Sequence, residues 1–240
     1  MESDVLQHVM RRLAQAHIQS SPYPYFYVEN VFPEEFYQQL IANLPETSFF
    51  QGISKTGKVD PRTYKERLVF PLQGEVLSQL PLGQFLFWSQ FVAAIHSQEW
   101  HAMLLEQFGS QIQERFGVHY ERVEFSSTAE LVRDQTHYSI GPHTDHPIRT
   151  LTLLFYFPHL RDQSHLGTSV YAPLDPSFEC EGFKHHPFER FKKLYTAPFL
   201  PNSLFGFIRS NRSFHGRELI LDQGIERNLM NYYLQWNHKK

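Results

Sequence analysis

The stretch Tyr138-Ser139-Ile140-Gly141-Pro142-His143-Thr144-Asp145-His146-Pro147, followed by the apolar run Thr150-Leu151-Thr152-Leu153-Leu154-Phe155-Tyr156-Phe157, decides how the second half of the chain is read. The apolar run is short, β-branched and aromatic, the pattern of a strand buried on both faces. Just before it, on a strand ending near Asp145, alternate side chains share a face, so His143 and Asp145 project to the same side. An imidazole and a carboxylate aimed the same way can take two corners of one metal ion. The best third ligand is His215, in Asn211-Arg212-Ser213-Phe214-His215-Gly216, which follows another apolar run, Ser203–Ile208.

Around this stretch, short β-rich runs alternate with turn residues after Gly117. They are Val118–Phe125, Ala129–Gln135, Tyr138–Asp145, Thr150–Phe157, Thr168–Ala172, Leu194–Ala197, Ser203–Ile208, Ser213–Glu218 and Arg227–Trp236. Strands at this spacing predict a sandwich or barrel. The connection 158–202 is long, carries one weak strand, and is expected to act as a lid-like insert; its His185 and His186 sit in a charged stretch that reads as a solvated loop or that lid.

The first half is helical. Val5, Val9, Leu13 and Ala16 share one face of a helix over 4–19. Tyr23 to Val31, broken by Pro24, reads as an edge strand. A second helix opens at Pro33-Glu34-Glu35 and runs to Leu44. Residues 48–68, with Gly52, Gly57 and Pro61, read as a mobile loop. A helical pattern over 84–116 carries Phe85, Trp88, Phe91, Val92, Ile95, Met103, Leu104, Phe108 and Ile112, with a break near Ser97.

Composition sets the bounds. At 240 residues one elaborated domain, 1–240, is expected, with a helical region 1–117 and a β core 118–240. Apolar residues at 41% exclude general disorder. A net charge of -3 supplies no basic excess for nucleic acid. No run approaches a membrane span, and the polar start lacks a signal-peptide core. With one cysteine, Cys180, disulfide and Cys-zinc frameworks are excluded, and a cytoplasmic location is expected.

Two His and one carboxylate leave three open positions on an octahedral ion, the arrangement diagnostic of non-haem Fe(II) oxygenases. The bare pattern is not specific. With 14 His and 25 acids in 240 residues, one or two His-x-Asp/Glu matches arise by chance, and His119/Glu121 is a second one. Context separates them, because His143 and His215 each adjoin a buried-strand run. Arg227, twelve residues beyond His215 on the last strand, adds a cation suited to a carboxylate.

Here the chain resembles the Fe(II)- and 2-oxoglutarate-dependent dioxygenases, whose pattern is His-x-Asp, a distal His, and an Arg or Lys some ten residues beyond it. The resemblance spans Ala129 to Trp236 and includes Leu166-Gly167-Thr168-Ser169-Val170-Tyr171, Pro201–Phe207 and Ser213-Phe214-His215-Gly216. It implies a double-stranded β-helix, a cupin-like jelly roll buttressed by helices. It implies Fe(II) on His143, Asp145 and His215, and Arg227 and Tyr156 on the distal carboxylate of 2-oxoglutarate. With O2, such an enzyme hydroxylates a C–H bond of a small molecule or a tethered peptide or saccharide, releasing succinate and CO2. An aspartate at Asp145 argues against the halogenating members, which lack that carboxylate.

Other residues are weighed beside these. Arg133 is a candidate substrate contact, against a structural salt bridge with a neighbouring acid. Arg217 competes with Arg227 for the carboxylate. His146 is expected on the opposite face. Two other readings remain: a cupin-like metalloprotein using Zn or Mn without an oxoacid, and a non-catalytic β-sandwich binding module. No obligate protein partner is indicated.

Overall fold

The computed structural model describes residues 3–57, 64–158, 161–182 and 184–237. The helical layer is α1 (Ser3–Ala14), α2 (Glu34–Ala42), a single turn α3 (Gly74–Leu77), α4 (Leu82–Ile95) and α5 (Gln98–Phe116). The break near Ser97 is real: Ser97 caps α5, its hydroxyl accepting from Trp100 N at 3.1 Å, which satisfies one of the free donors of the first turn.

Among the described residues the strands form two antiparallel sheets. The larger has the order β1-β9-β6-β11-β4-β3-β2 and the smaller β5-β10-β7-β8. The strands are β1 (Tyr25–Glu29), β2 (Gln51–Gly52), β3 (Arg67–Pro71), β4 (Phe125–Gln135), β5 (Ile140–His143), β6 (Arg149–Tyr156), β7 (Ser169–Pro173), β8 (Phe191–Thr196), β9 (Ser203–Ile208), β10 (His215–Arg217) and β11 (Glu226–Trp236). This is the double-stranded β-helix with a helical buttress.

Period-two alternation divides the large sheet. Leu151, Leu153, Phe155, Met230, Tyr232 and Leu234 pack on the helices with Trp88, Phe91 and Phe108. Leu154, Tyr156, Phe205, Phe207 and Leu229 face the small sheet. Both faces of β6 are covered, which is why it reads as a continuous apolar run. Gly206 lets Phe26 lie flat on β9; a Cβ there would stand 2.3 Å from the Phe26 ring.

Several elements differ from the sequence reading. Val118–Phe125 is not a strand: a 3-10 helix covers Gly117–Arg122, entered through Gly117 at φ 56°, and one long strand then starts at Phe125. The His119/Glu121 pair lies on that 3-10 helix, off both sheets. The 48–68 segment contains β2 and the start of β3, which extend the large sheet at one edge; its residues 58–63 lie outside the described part. The 158–202 connection supplies β7 and β8, half of the small sheet, so the lid-like part shrinks to 174–190. No described helix is long and apolar enough to cross a membrane.

Candidate metal centre and cavity

Antiparallel pairing of β5 with β10 sets His143 directly opposite His215. The ring centroids are 4.3 Å apart. Asp145 lies two residues beyond the end of β5, so it reaches the same centre from the loop rather than by strand alternation. One ligand atom from each of His143, Asp145 and His215 lies within 4.8 Å of the others.

The surroundings fix the ligand atoms. His143 Nδ1 bonds the Gly141 carbonyl at 2.9 Å and His215 Nδ1 bonds the Ser213 carbonyl at 3.0 Å. Those acceptors put the ring protons on Nδ1 and leave both Nε2 lone pairs for a metal. Asp145 accepts from Arg149 at 2.6 Å on Oδ1 and from Thr152 Oγ1 at 2.6 Å on Oδ2. Burial pushes His143 down to about 3, aided by the neighbouring His215, and burial also lowers His215. Burial works against the Asp145 carboxylate, but Arg149, the two histidines and Thr152 outweigh it and hold it below the usual range. Neutral imidazoles beside an ionised carboxylate are the protonation states a divalent cation requires.

The centre opens into a cavity of about 760 Å³ between the sheets. Arg217, on β10 beside His215, lines it; its Nε is buried without a partner, and NH1 bonds Glu218 at 3.2 Å. Arg227 does not line the cavity. It is buried, with Nε on the Leu166 carbonyl at 2.6 Å, NH1 on Asp134 at 2.8 Å and NH2 on Thr168 Oγ1 at 3.2 Å. Tyr156 is also behind the wall, its hydroxyl accepting from Thr168 N at 3.2 Å. Thr168, held by both, does line the cavity.

Arg133, a candidate substrate contact from sequence, does not line the cavity. It alternates with Leu131 toward the helices, where Nε bonds Asn228 at 2.7 Å and the guanidinium covers the Phe50 ring at 4.6 Å, with Glu226 3.6 Å away. His146, expected on the opposite face, instead lines the cavity. His185 stacks edge-on to His143 at 4.6 Å and bonds the Tyr64 hydroxyl across the mouth. Sequence reading missed Arg67, Asp134, Arg149 and Thr152. Arg149 and Thr152 were within reach of it, since they lie four and seven residues after Asp145.

No protein-family model and no curated protein matches the chain. Solved structures do match. A Pseudomonas putida prolyl-4-hydroxylase aligns with a TM-score of 0.52 at 12% identity, covering 96% of this chain and 98% of that one. SnoN, a non-heme alpha ketoglutarate dependent epimerase from nogalamycin biosynthesis, gives 0.52 at 10%, covering 96% and 80%. The chain has the fold of the 2-oxoglutarate-dependent iron enzymes. In that oxygenase fold the His143–Asp145–His215 centre sits where the two sheets face each other.

Proposed function

We propose that the chain is an Fe(II)- and 2-oxoglutarate-dependent oxygenase that hydroxylates a C–H bond of a small molecule or a tethered peptide or saccharide. The observation that carries this reading is the pair of imidazoles whose Nδ1 protons are spent on backbone carbonyls, aiming both Nε2 atoms and the Asp145 carboxylate at one point. That donor set, nitrogen and oxygen with no thiolate, suits ferrous iron.

With iron and 2-oxoglutarate bound, the centre would supply oxidative decarboxylation to succinate and CO2 coupled to C–H oxidation. The protein's part is orientation and exclusion of water. His143, Asp145 and His215 hold the metal on one face. Arg149 and Thr152 fix the Asp145 oxygens. Arg217 meets the distal carboxylate of the oxoacid, since it lines the cavity two residues from His215 and its buried Nε carries no hydrogen bond. Arg227 and Tyr156, the residues assigned to that carboxylate from sequence, act behind it by holding Thr168 in place. Tyr64 and His185 close the mouth.

The test is an anaerobic titration of the purified protein with Fe(II) and then 2-oxoglutarate, following the weak visible charge-transfer band of the chelate. A band that needs both additions and is lost in His143→Ala supports the reading. Metal binding without a band favours the cupin-like alternative, and no metal binding sinks both.

A further inference from the structure

The lining of the cavity is electrically balanced before any substrate enters. Among the described residues its arginines and carboxylates each face an opposite charge. Arg67 bonds Asp134 at 2.6 and 2.9 Å, and Arg217 bonds Glu218 at 3.2 Å. Arg149 bonds Asp145 at 2.6 Å, and Glu130 lies in the field of the same guanidinium. In the oxygenase reading the spare Arg217 Nε goes to the oxoacid. None of these groups is left to answer a charged substrate.

Two buried neutral oxygens do lack a partner. They are Asn231 Oδ1, on β11, and the Tyr138 hydroxyl, two residues before β5. Both residues line the cavity, at 4% and 0% exposure. They come from opposite walls, one from the large sheet and one from the entry to the small sheet. A buried polar atom without a partner bears its full desolvation cost, and such atoms are rare in folded chains unless something else supplies the bond. Beside an open cavity, a ligand supplies it.

The chemistry of that ligand follows from the two oxygens. The Asn231 carbonyl only accepts, so it needs a donor; the Tyr138 phenol both donates and accepts. Hydroxyl groups are neutral and do both, which matches each oxygen. Thr128 and Gln235, bonded to each other at 3.2 Å, add neutral polar groups to the same floor. That floor offers side chains only. β4, β11 and β6 are each paired on both sides, so a peptide main chain finds no free strand there. Asn231 is one pleat, about 7 Å, from Tyr233, which registers with Thr152, the threonine that bonds Asp145. A ring hydroxyl seated on Asn231 therefore keeps C–H bonds of the same molecule near the metal.

We infer that the substrate is a neutral polyol, a sugar or cyclitol, that donates one hydroxyl to Asn231 and bonds the Tyr138 hydroxyl with another. This rests on the oxygenase reading of the same centre. The experiment uses the anaerobic Fe(II)–2-oxoglutarate complex of the full chain, with the charge-transfer band as the readout. Methyl glucoside, trehalose, sucrose and myo-inositol are added at millimolar concentration, beside their deoxy analogues. Glucosamine and glucuronic acid serve as charged counterparts, and a blocked neutral dipeptide as the peptide probe.

At least one polyol shifts the band. One of its deoxy analogues and both charged counterparts bind at least about tenfold more weakly, as a site built to bond a hydroxyl requires. Asn231→Leu and Tyr138→Phe, read on protein whose band forms before polyol is added, each weaken that polyol by at least about fivefold. The deoxy analogue that has lost the Asn231 bond loses nothing further in Asn231→Leu. Where a variant forms no band, the ligand series on the natural chain decides. If no polyol shifts the band, if the charged or peptide probes bind as tightly, or if the deoxy and Asn231→Leu losses simply add, the inference is overturned. A natural chain that forms no band before any polyol is added refutes the oxygenase reading instead.

Discussion

Replacing Asp134 by Asn tests the ion cluster that fixes the deep end of the cavity. Asp134 is fully buried and accepts from Arg67 Nε at 2.6 Å and NH2 at 2.9 Å, and from Arg227 NH1 at 2.8 Å. Asparagine keeps the shape, removes the charge, and turns one acceptor into a donor facing a guanidinium. Each bond to a charged group is worth about 1.5–3 kcal/mol, and the attraction is partly offset by desolvation. Removing one partner from a buried cluster strands the others, at about 3–5 kcal/mol. Arg67 keeps 15% exposure and regains some solvation, while Arg227 at 2% regains little, which puts the loss near 3–4 kcal/mol. That is a large share of the roughly 5–15 kcal/mol of a folded domain. In urea unfolding with a slope of about 2 kcal/mol/M, the midpoint falls by about 1.5–2 M with the slope unchanged. A loss below about 1 kcal/mol would refute the argument that Asp134 balances two otherwise uncompensated arginines.

Three further outcomes follow from the same geometry. Thr152→Val removes the hydroxyl on Asp145 Oδ2 and is expected to weaken Fe(II) binding by about 10–100-fold in anaerobic titration, with little change in fold by circular dichroism. Gly216→Ala places a Cβ 2.7 Å from the Ile140 carbonyl, pushing apart the strands that carry His143 and His215, so metal affinity and urea stability fall together, the latter by about 1–3 kcal/mol. His96 and His101 both bond Ser127 and are both lowered by burial from 6.5, so below pH 6.5 the unfolded chain binds protons that the folded one refuses. Stability is full above that pH and declines as pH falls, by up to about 1.4 kcal/mol per unit for each group, and a His96→Gln/His101→Gln protein shows a flatter profile in urea midpoints measured from pH 7.5 to 5.

The sequence made the centre of the molecule readable because burial leaves strong marks there. β6, β9 and β11 are apolar on the face toward the helices, β6 and β9 are buried on both faces, and runs this short and rich in β-branched and aromatic residues read as strands. The ligands were legible because two of them adjoin those runs, even though Asp145 reaches the metal from a loop and not along a strand. The edge strands β2 and β3 were hidden because they are short and lie in a stretch broken by glycine and proline, where pairing with β4 rather than local preference makes the strand. Strand parity carries Arg133 to the face away from the cavity. It shares its face with Ala129 and Leu131, both packed on helices, and one unbroken strand from Phe125 fixes that alternation. Which arginine faces the cavity, Arg217 or Arg227, depends on long-range partners such as Asp134 and Leu166, and spacing from His215 carries no record of them.

The most direct test is anomalous diffraction at the iron edge from crystals soaked anaerobically with Fe(II) and 2-oxoglutarate. One peak is predicted, bonded to His143 Nε2, His215 Nε2 and one Asp145 oxygen, with the oxoacid chelated beside it and its far carboxylate on Arg217. Iron held elsewhere, or no iron while the three side chains keep their positions, would contradict the assignment of this centre.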